Sequence, residues 1–262
     1  MGNKKTESKS ERIFIVAGLG DIGSAFARGL SKEGSVYGIS RNPKGVGLTR
    51  FIRANLLNKD DVREAFRTIP VGCDIIYLHL VGKFVFQDEN HPINDENKDG
   101  IDDDTYLTNV ETFRNVRPHL TQYLLNNPSS KLKAVGIGST SDIYDIPFWH
   151  SYTYSKNELR KELRLFYGNP QTFGRASTLL INVSTVSGEQ LSTERPYISR
   201  EFCLTPEEVV KSSLDCVLDS KTNCIEMTLV KPNPEFLKAD FWSDSNVRKR
   251  WYKDMKGGDV IR

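Results

Sequence analysis

The sequence predicts an α/β fold in which a doubly wound parallel sheet lies between two layers of helices. Two observations support this prediction. Short apolar runs of strand length alternate along the chain with amphipathic patterns of helical length, which is the order of βαβ units. The first of these units, residues 12–30, also carries a glycine-rich turn between its strand and its helix.

The glycine-rich turn predicts a dinucleotide site. The apolar run 13–17 stops at Gly18-x-Gly20-x-x-Gly23, and a helical pattern follows directly. In such a turn the first glycine allows the tight bend, the second lets backbone approach a pyrophosphate, and the third lets helix pack on strand. The first N–H groups of the helix then face the phosphates. We therefore predict a Rossmann-type three-layer α/β/α fold, with Asp21 and Ile22 as further cofactor contacts; the alternative is a plain tight turn.

Length and composition favour a single domain. The chain has 262 residues, of which residues 1–11 are polar and predicted to be a disordered tail, and 12–262 form one NAD(P)-binding domain. Its 36 basic and 34 acidic residues nearly cancel, so charge favours neither nucleic acid nor an anionic membrane as a partner. No apolar run approaches the ~20 residues of a membrane span. Four separated cysteines without CxxC spacing predict reduced thiols in a cytoplasmic protein and no metal site.

The end of the second predicted strand indicates which cofactor binds. Residues 35–39 read as this strand, and Ser40 and Arg41 follow it. An acid at this place would bind the ribose 2′-hydroxyl of NAD, whereas an arginine accommodates the 2′-phosphate of NADP. We therefore predict NADP(H) over NAD(H), which stays possible. Asn55 and Leu56, which follow the third predicted strand at 51–54, are assigned to the cofactor site as well.

The later elements follow the same alternation. Amphipathic spacing predicts helices over 59–67, 105–126, 150–167 and 206–218, and apolar runs predict strands over 74–82, 132–138, 176–183 and 223–230. Thr205-Pro206-x-Glu208 is typical of a helix start. Within the polar stretch 87–104, Asp95-x-Asn97-x-Asp99-Gly100 resembles the start of a calcium loop, but the twelfth position of such a loop would be Tyr106 instead of a bidentate Glu. A mobile loop is the better interpretation.

A second group of residues suggests acid–base chemistry. Ser139 and Thr140 follow the strand 132–138, and ligands of open parallel sheets bind beyond the carboxyl ends of strands. Tyr152 and Lys156 lie four residues apart at the start of a helix, hence on one face. An ordinary phenol has a pKa of about 10, and a lysine ammonium one turn away would favour the phenolate.

In these features the sequence resembles the short-chain dehydrogenase/reductase superfamily. The glycine turn, the serine cluster at Ser139 and the Tyr152-x-x-x-Lys156 pair occur in order over roughly residues 12–230. The resemblance implies that Lys156 also bonds the nicotinamide ribose and that Ser139 binds the substrate oxygen. It further implies an asparagine proton relay, for which Asn109 is the first candidate and Asn115 a weaker one. A homo-oligomer, dimer or tetramer, is implied as well.

The match departs from the shorter subfamily. That subfamily usually has the glycine pattern GxxxGxG, whereas this chain has GxGxxG. Residues 78–82 look more like the corresponding strand of the extended subfamily of nucleotide-sugar epimerases and dehydratases. On the extended alignment Thr140 replaces Ser139 as the catalytic hydroxyl. Only about 80 residues follow the strand 176–183, which is little room for an extended substrate domain. Residues 37–43 and 113–116 also resemble NADPH-dependent enone reductases locally.

These observations predict an NADP(H)-dependent oxidoreductase that acts on a carbonyl or alcohol of a small-molecule substrate. Tyr152 would be the general acid/base. Segments near 187–201 and 234–262 are predicted to cover the substrate. The alternatives are an epimerase- or dehydratase-like enzyme with bound NAD, an enone reductase, or a cofactor-sensing binding protein without turnover.

Overall fold

The strands form one parallel sheet. The computed structural model of the protein describes residues 11–42, 47–87, 92–141, 148–231 and 244–257. Within these ranges seven strands are arranged in the order β3-β2-β1-β4-β5-β6-β7, and every pairing is parallel. The strands are β1 Arg12–Ala17, β2 Ser35–Ser40, β3 Arg50–Arg53, β4 Asp74–His79, β5 Leu132–Ser139, β6 Ala176–Val183 and β7 Cys224–Leu229.

Helices connect the strands and cover both faces of the sheet. They are α1 Asp21–Leu30, α2 Lys59–Arg67, α3 Asp103–Tyr106, α4 Thr112–Asn126, α5 His150–Tyr167, α6 Glu189–Glu194, α7 Pro206–Leu218 and α8 Asp244–Lys256. A π-helical turn, Leu107–Glu111, joins α3 to α4. Because parallel strands need crossover connections, this succession of strands and helices produces the three-layer α/β/α architecture.

Two apolar cores lie on opposite faces of the sheet. Successive strand residues point to opposite faces, so Phe14 joins one core and its neighbour Ile15 the other. Phe26 of α1 and Val209 of α7 are fully buried in the first core, and Phe113 of α4 is fully buried in the second. Each such side chain stabilises the fold by about 1.5–3 kcal/mol. Because both faces are covered, every residue of β5 and β6 is buried, the polar Lys133, Thr178 and Asn182 included.

The sheet also locates the functional cleft. The direction in which strands are added reverses between β1 and β4, and ligands of such sheets bind at this switch point, beyond the carboxyl ends of the strands. The turns that follow these two strands touch: a Cβ added at Gly18 would lie 2.8 Å from the carbonyl carbon of Leu80.

The predicted fold class is confirmed, with differences in single elements. Strand β4 ends at His79 instead of residue 82. The predicted helix 105–126 is divided by the π-helical turn. The segment 187–201, predicted to cover the substrate, contains α6 and the start of a 3₁₀ turn, Arg200–Phe202. Residues 1–10 of the predicted tail and 234–243 and 258–262 of the predicted covering segment lie outside the described residues.

The loop that resembles the start of a calcium site is held together by its own side chains. The Asp95 carboxylate accepts the N–H groups of Asp99 and Gly100 at 3.0 and 2.8 Å. The Asp103 carboxylate accepts the N–H of Glu96 at 2.7 Å. These carboxylates therefore serve as turn-forming acceptors.

The cysteines and the helices bear on two expectations from composition, namely reduced thiols and the absence of a membrane span. All four cysteines are free thiols; Cys73 and Cys203 are buried, Cys216 is half-buried and Cys224 is exposed. None of the described helices combines the length and apolar composition required to cross a membrane.

The predicted start of α7 is present as a complete capping box. Thr205 Oγ1 accepts the N–H of Glu208 at 3.1 Å, and the Glu208 carboxylate accepts the N–H of Thr205 at 2.7 Å. We predict that Thr205→Ala lowers the free energy of unfolding by about 1 kcal/mol, because one helix N–H loses its acceptor. Urea denaturation measures this change. Thr205→Ser, which keeps the acceptor, should be close to wild type; equal stability of both variants would contradict the assignment.

Candidate functional site

A cleft with a volume of about 500 Å³ opens at the carboxyl edge of the sheet. The turns after β1, β2, β3, β4, β5 and β6 line it. Nearly all residues predicted to act on cofactor or substrate border this one cleft: Gly18, Gly20, Asp21, Ile22, Gly23, Ser40, Arg41, Asn55, Leu56, Ser139, Thr140, Tyr152 and Lys156. The two relay candidates, Asn109 and Asn115, do not line it, and Asn109 is fully buried behind the cleft wall.

The glycine turn has the geometry of a phosphate cradle. Gly18 has φ +89°, a backbone conformation that residues other than glycine rarely adopt. A Cβ at Gly23 would lie 1.8 Å from the carbonyl oxygen of Gly18, so only glycine allows this approach of helix to strand. A Cβ at Gly20 would meet nothing within 4 Å, since the space above Gly20 is the cleft itself. Gly20 is the N-cap of α1 and provides no side-chain acceptor for the first N–H groups of that helix.

Asp21 joins the glycine turn to the far side of the cleft. Its Oδ2 accepts the N–H of Glu189 at 2.9 Å. A Cβ at Gly188 would lie 2.0 Å from the same oxygen, so the two segments are in close contact. The residue predicted to contact cofactor therefore also holds the start of α6.

The end of the cleft away from Tyr152 is formed by the carboxyl ends of β2 and β3. Ser40 and Arg41 border it, with the Arg41 side chain exposed to solvent. The backbone N–H of Asn55 donates to Asp61 at 2.8 Å, and the side chain of Asn115 donates to the carbonyl of Leu56 at 3.0 Å. Asn115 thus supports the turn at this end, away from Tyr152.

Lys156 lies at the floor of the cleft, beside Tyr152. Its Nζ donates to the carbonyl of Ile137 in β5 at 3.1 Å and lies 5.4 Å from the centroid of the Tyr152 ring. The side chain is 4% exposed, and burial lowers its pKa to about 8 because desolvation disfavours the charged form. A lysine ammonium is thereby held next to the phenol ring at low dielectric.

Two aromatic residues position the Tyr152 ring. Phe84 packs edge-to-face on it with ring centroids 5.3 Å apart, and Trp149 does so at 6.3 Å. Phe84 and Trp149 contact each other at 4.8 Å. All three residues border the cleft, so this end combines an apolar wall with the phenol group of Tyr152.

Both candidate hydroxyls lie at the end of β5. Ser139 Oγ accepts the N–H of Ser141 at 3.1 Å, which leaves its own hydrogen to be donated. Thr140 is half-buried and donates its backbone N–H to Val183 at 3.1 Å. Ser139 and Thr140 both border the cleft.

Asn109 fixes the segment that passes over Lys156. Its Oδ1 accepts the N–H of Lys83 at 2.7 Å, and its Nδ2 donates to the carbonyl of Lys83 and to Ser155 Oγ at 2.9 and 2.8 Å. A Cβ at Gly82 would lie 3.4 Å from Lys156 Nζ and 3.5 Å from Asn109 Oδ1. Asn109 therefore lies next to the lysine, with its amide bonded to the neighbouring chain.

A buried histidine supports the π-helical turn that carries Asn109. Thr112 Oγ1 donates to the carbonyl of Thr108 at 2.6 Å, so it must accept from His79 Nε2 at 3.1 Å. His79 Nδ1 then accepts from the hydroxyl of Tyr77 at 3.0 Å. Burial, and secondarily the charge of Lys156, lowers the pKa of His79 to about 3, which keeps the ring neutral.

Several residues of the cleft were missed by sequence reasoning. Phe84, Trp149 and Arg195 belong to no motif, and their neighbourhood with Tyr152 arises only through the fold. An aromatic residue directly before a helix that carries Tyr152 was the one available signal for Trp149. For Arg195 the sequence offered none.

Comparison with known proteins extends the description of the fold. No family model matches the sequence, and no curated protein matches it significantly. Solved structures do match. A protein described as a short chain dehydrogenase/reductase family protein has a TM-score of 0.67 at 16% identity, covering 84% of this chain and 97% of its own.

Two further structures are similar to the same extent. An alcohol dehydrogenase from the archaeon Thermococcus sibiricus, complexed with 5-hydroxy-NADP, has a TM-score of 0.66 at 14% identity, covering 86% of this chain and 99% of its own. A serine dehydrogenase complexed with NADP+ has a TM-score of 0.66 at 18% identity, covering 82% and 94%. The chain thus has the Rossmann-type fold of the short-chain dehydrogenases/reductases.

Proposed function

We propose that the protein is an NADP(H)-dependent oxidoreductase that transfers hydride between the nicotinamide and a carbonyl or alcohol of a small organic substrate. The observation that carries this proposal is a single cleft with the glycine turn on one side and Tyr152 and Lys156 on the other. A dinucleotide-binding turn and an acid–base pair are both required for this chemistry. The oxidoreductases among the structural neighbours support the same reaction type.

The residues present fit a dinucleotide. The open space above Gly20 and the uncapped first turn of α1 suit a pyrophosphate. Ser40 and Arg41 would hold the 2′-phosphate, while Asn55 and Leu56 would border the adenine. When bound, the cofactor supplies or accepts the hydride.

The remaining chemistry belongs to side chains of this protein. In the direction of reduction Tyr152 donates a proton to the substrate oxygen as negative charge develops there. The Lys156 ammonium stabilises the resulting phenolate, and a hydroxyl of Ser139 or Thr140 donates to the same substrate oxygen. Asn109 acts as a positioning residue, because its amide bonds orient the segment at Gly82 beside Lys156. Proton relay to solvent through Asn109 remains part of the proposal.

The alternative functions differ from the proposed one in how they use the cofactor or in which bond they reduce. An epimerase- or dehydratase-like enzyme would hold NAD tightly and be indifferent to Arg41, and an enone reductase would reduce C=C bonds with NADPH. A cofactor-sensing protein would bind without turnover. The assembly as a homo-oligomer, the cytoplasmic location and the covering role of segments 187–201 and 234–262 stay predictions.

The cofactor preference can be measured by calorimetric titration. We predict tighter binding of NADPH than of NADH, and a loss of about tenfold or more in NADPH affinity for Arg41→Ala, because a charge-assisted contact with the 2′-phosphate disappears. NADH affinity should change little. Arg67→Ala removes an exposed arginine that pairs with Glu64 outside the cleft and serves as the control. Preference for NADH in the wild type would contradict the assignment.

The acid–base role can be tested at Tyr152. We predict that Tyr152→Phe lowers kcat for carbonyl reduction by about 10²–10⁴-fold, since the proton donor is lost. NADPH affinity should stay near wild type. Tyr154→Phe is the matched control: this tyrosine is 41% exposed, stacks on Tyr106 and does not border the cleft. Unchanged turnover in Tyr152→Phe would rule out this role.

The burial of Lys156 predicts that this residue, which the proposed reaction requires, lowers the free energy of unfolding of the protein. Its pKa of about 8 in the folded protein is below its value of about 10.4 in an unfolded chain, so the unfolded state binds more protons between these pH values. The cost of burying the charge is therefore complete below pH ~8 and fades as pH rises toward about 10.4.

We predict that Lys156→Met abolishes turnover and raises the stability of the cofactor-free protein by roughly 2–4 kcal/mol at neutral pH. Denaturation curves at a series of pH values should show this gain shrinking as pH rises from about 8 to 10. Lys32→Met, at an exposed position, should show no comparable pH dependence. A destabilised Lys156→Met protein at neutral pH would contradict the energetic argument.

A further inference from the structure

Arg195 is a buried charge at the cleft that the proposed reaction does not use. It follows α6, is 4% exposed, and borders the same cleft as Tyr152. Since charged side chains are rarely this deeply buried, its position requires an explanation from its contacts.

The contacts place the guanidinium beside the catalytic end of the cleft. Arg195 Nη1 donates to Thr185 Oγ1 at 2.8 Å, and Nη2 donates to the carboxylate of Asp254 in α8. Its Cζ lies 5.4 Å from the ring centroid of Trp149. Trp149 in turn packs edge-to-face on the ring of Tyr152. One aromatic ring therefore separates the guanidinium from the acid–base residue.

The ion pair with Asp254 is not by itself a sufficient reason for this charge. Taking a guanidinium out of water costs several kcal/mol, and apolar residues of similar volume often replace buried ion pairs at no cost in stability. Burial lowers the pKa of Arg195 to about 10, in spite of the nearby Asp254 carboxylate. Among the described residues Arg250 brings a second guanidinium to Asp254, with its Nε 3.6 Å from Asp254 Oδ1. One carboxylate thus faces two guanidinium groups.

Apolar side chains share the cleft with Arg195. Phe84, Trp149, Leu191 and Val230 border it, and the Trp149 ring contacts the guanidinium. A guanidinium in such surroundings attracts an anion strongly, because water does not screen it, and its planar donors match a carboxylate. Asp254 already neutralises part of this positive charge, which favours a monoanionic carboxylate over a dianionic phosphate.

We propose that Arg195 determines substrate specificity by binding a carboxylate of the substrate, so that the substrate is a keto acid or hydroxy acid with an apolar body. This inference rests on the proposed function, since it names the substrate class of the same cleft. The apolar body lies against Phe84 and Trp149, the reacting oxygen faces Tyr152, and the carboxylate faces Arg195.

The test compares acids with matched neutral compounds. Benzoylformate, 3-benzoylpropionate and 4-benzoylbutyrate carry the carboxylate at increasing distance from the ketone, and each is assayed with NADPH beside its primary amide. We expect wild-type kcat/KM for at least one acid to exceed that of its amide at least tenfold. Arg195→Gln should lower this ratio at least tenfold, mainly through KM of the acid, and Arg195→Lys should restore part of it.

Asp254→Asn separates recognition from a structural role. It breaks the ion pair but keeps the positive charge, so the acid-to-amide ratio should be retained or increased. If Arg195 only anchored α8, then Arg195→Gln and Asp254→Asn would reduce turnover of acid and amide equally, which would overturn the proposal. A wild-type ratio near one for all three pairs would overturn it as well.

A binding measurement keeps the two proposals distinguishable. Calorimetric titration of the protein with 3-phenylpropionate, in the presence of NADPH, needs no turnover. Binding by the wild type that Arg195→Gln weakens at least tenfold supports carboxylate recognition even if no ketone is reduced, in which case the proposed reaction fails alone. Reduction of the amides without binding of the carboxylate would overturn the inference and leave the reaction intact.

Discussion

The site depends on one constraint, the common direction of the strands. Because all pairings are parallel, the carboxyl ends of the strands lie at one edge of the sheet. The register aligns Ala17 with His79 and Ser139 with Val183, so the turns after these residues face the same space. Residues that are far apart in sequence, such as Gly18 and Tyr152, thereby border one cleft.

Lys156 shows that this site was not built for stability. A lysine at 4% exposure with a pKa lowered to about 8 is a cost to the cofactor-free fold. The surrounding structure supports it with the carbonyl of Ile137 and keeps its neighbour His79 neutral, so that a second positive charge does not form beside it. The energy of the apolar cores on both faces of the sheet offsets this local cost.

The parts of the fold and of the site that depend on local sequence patterns could be predicted from the sequence. Alternating strands and helices predicted the sheet, and the glycine turn and the Tyr152–Lys156 spacing predicted both sides of the cleft. Contacts set by the fold were not predictable. Arg195 and Asp254 meet across 59 residues, and no spacing rule connects them. The sequence made Asn109 and Asn115 candidates for one role, and the bond of Asn115 to Leu56 is known only from the fold.

The bond between Asp21 and the N–H of Glu189 has a consequence for how molecules enter. It joins two segments 168 residues apart across the mouth of the cleft, and both residues are exposed. A solvent-exposed bond of this kind is worth about 1–2 kcal/mol, so its loss changes the equilibrium between the bonded and the separated state only about five- to thirtyfold. That end of α6 can separate from the glycine turn by thermal motion alone. Passage of a bulky molecule at this point therefore needs neither the sheet nor the buried lysine to move.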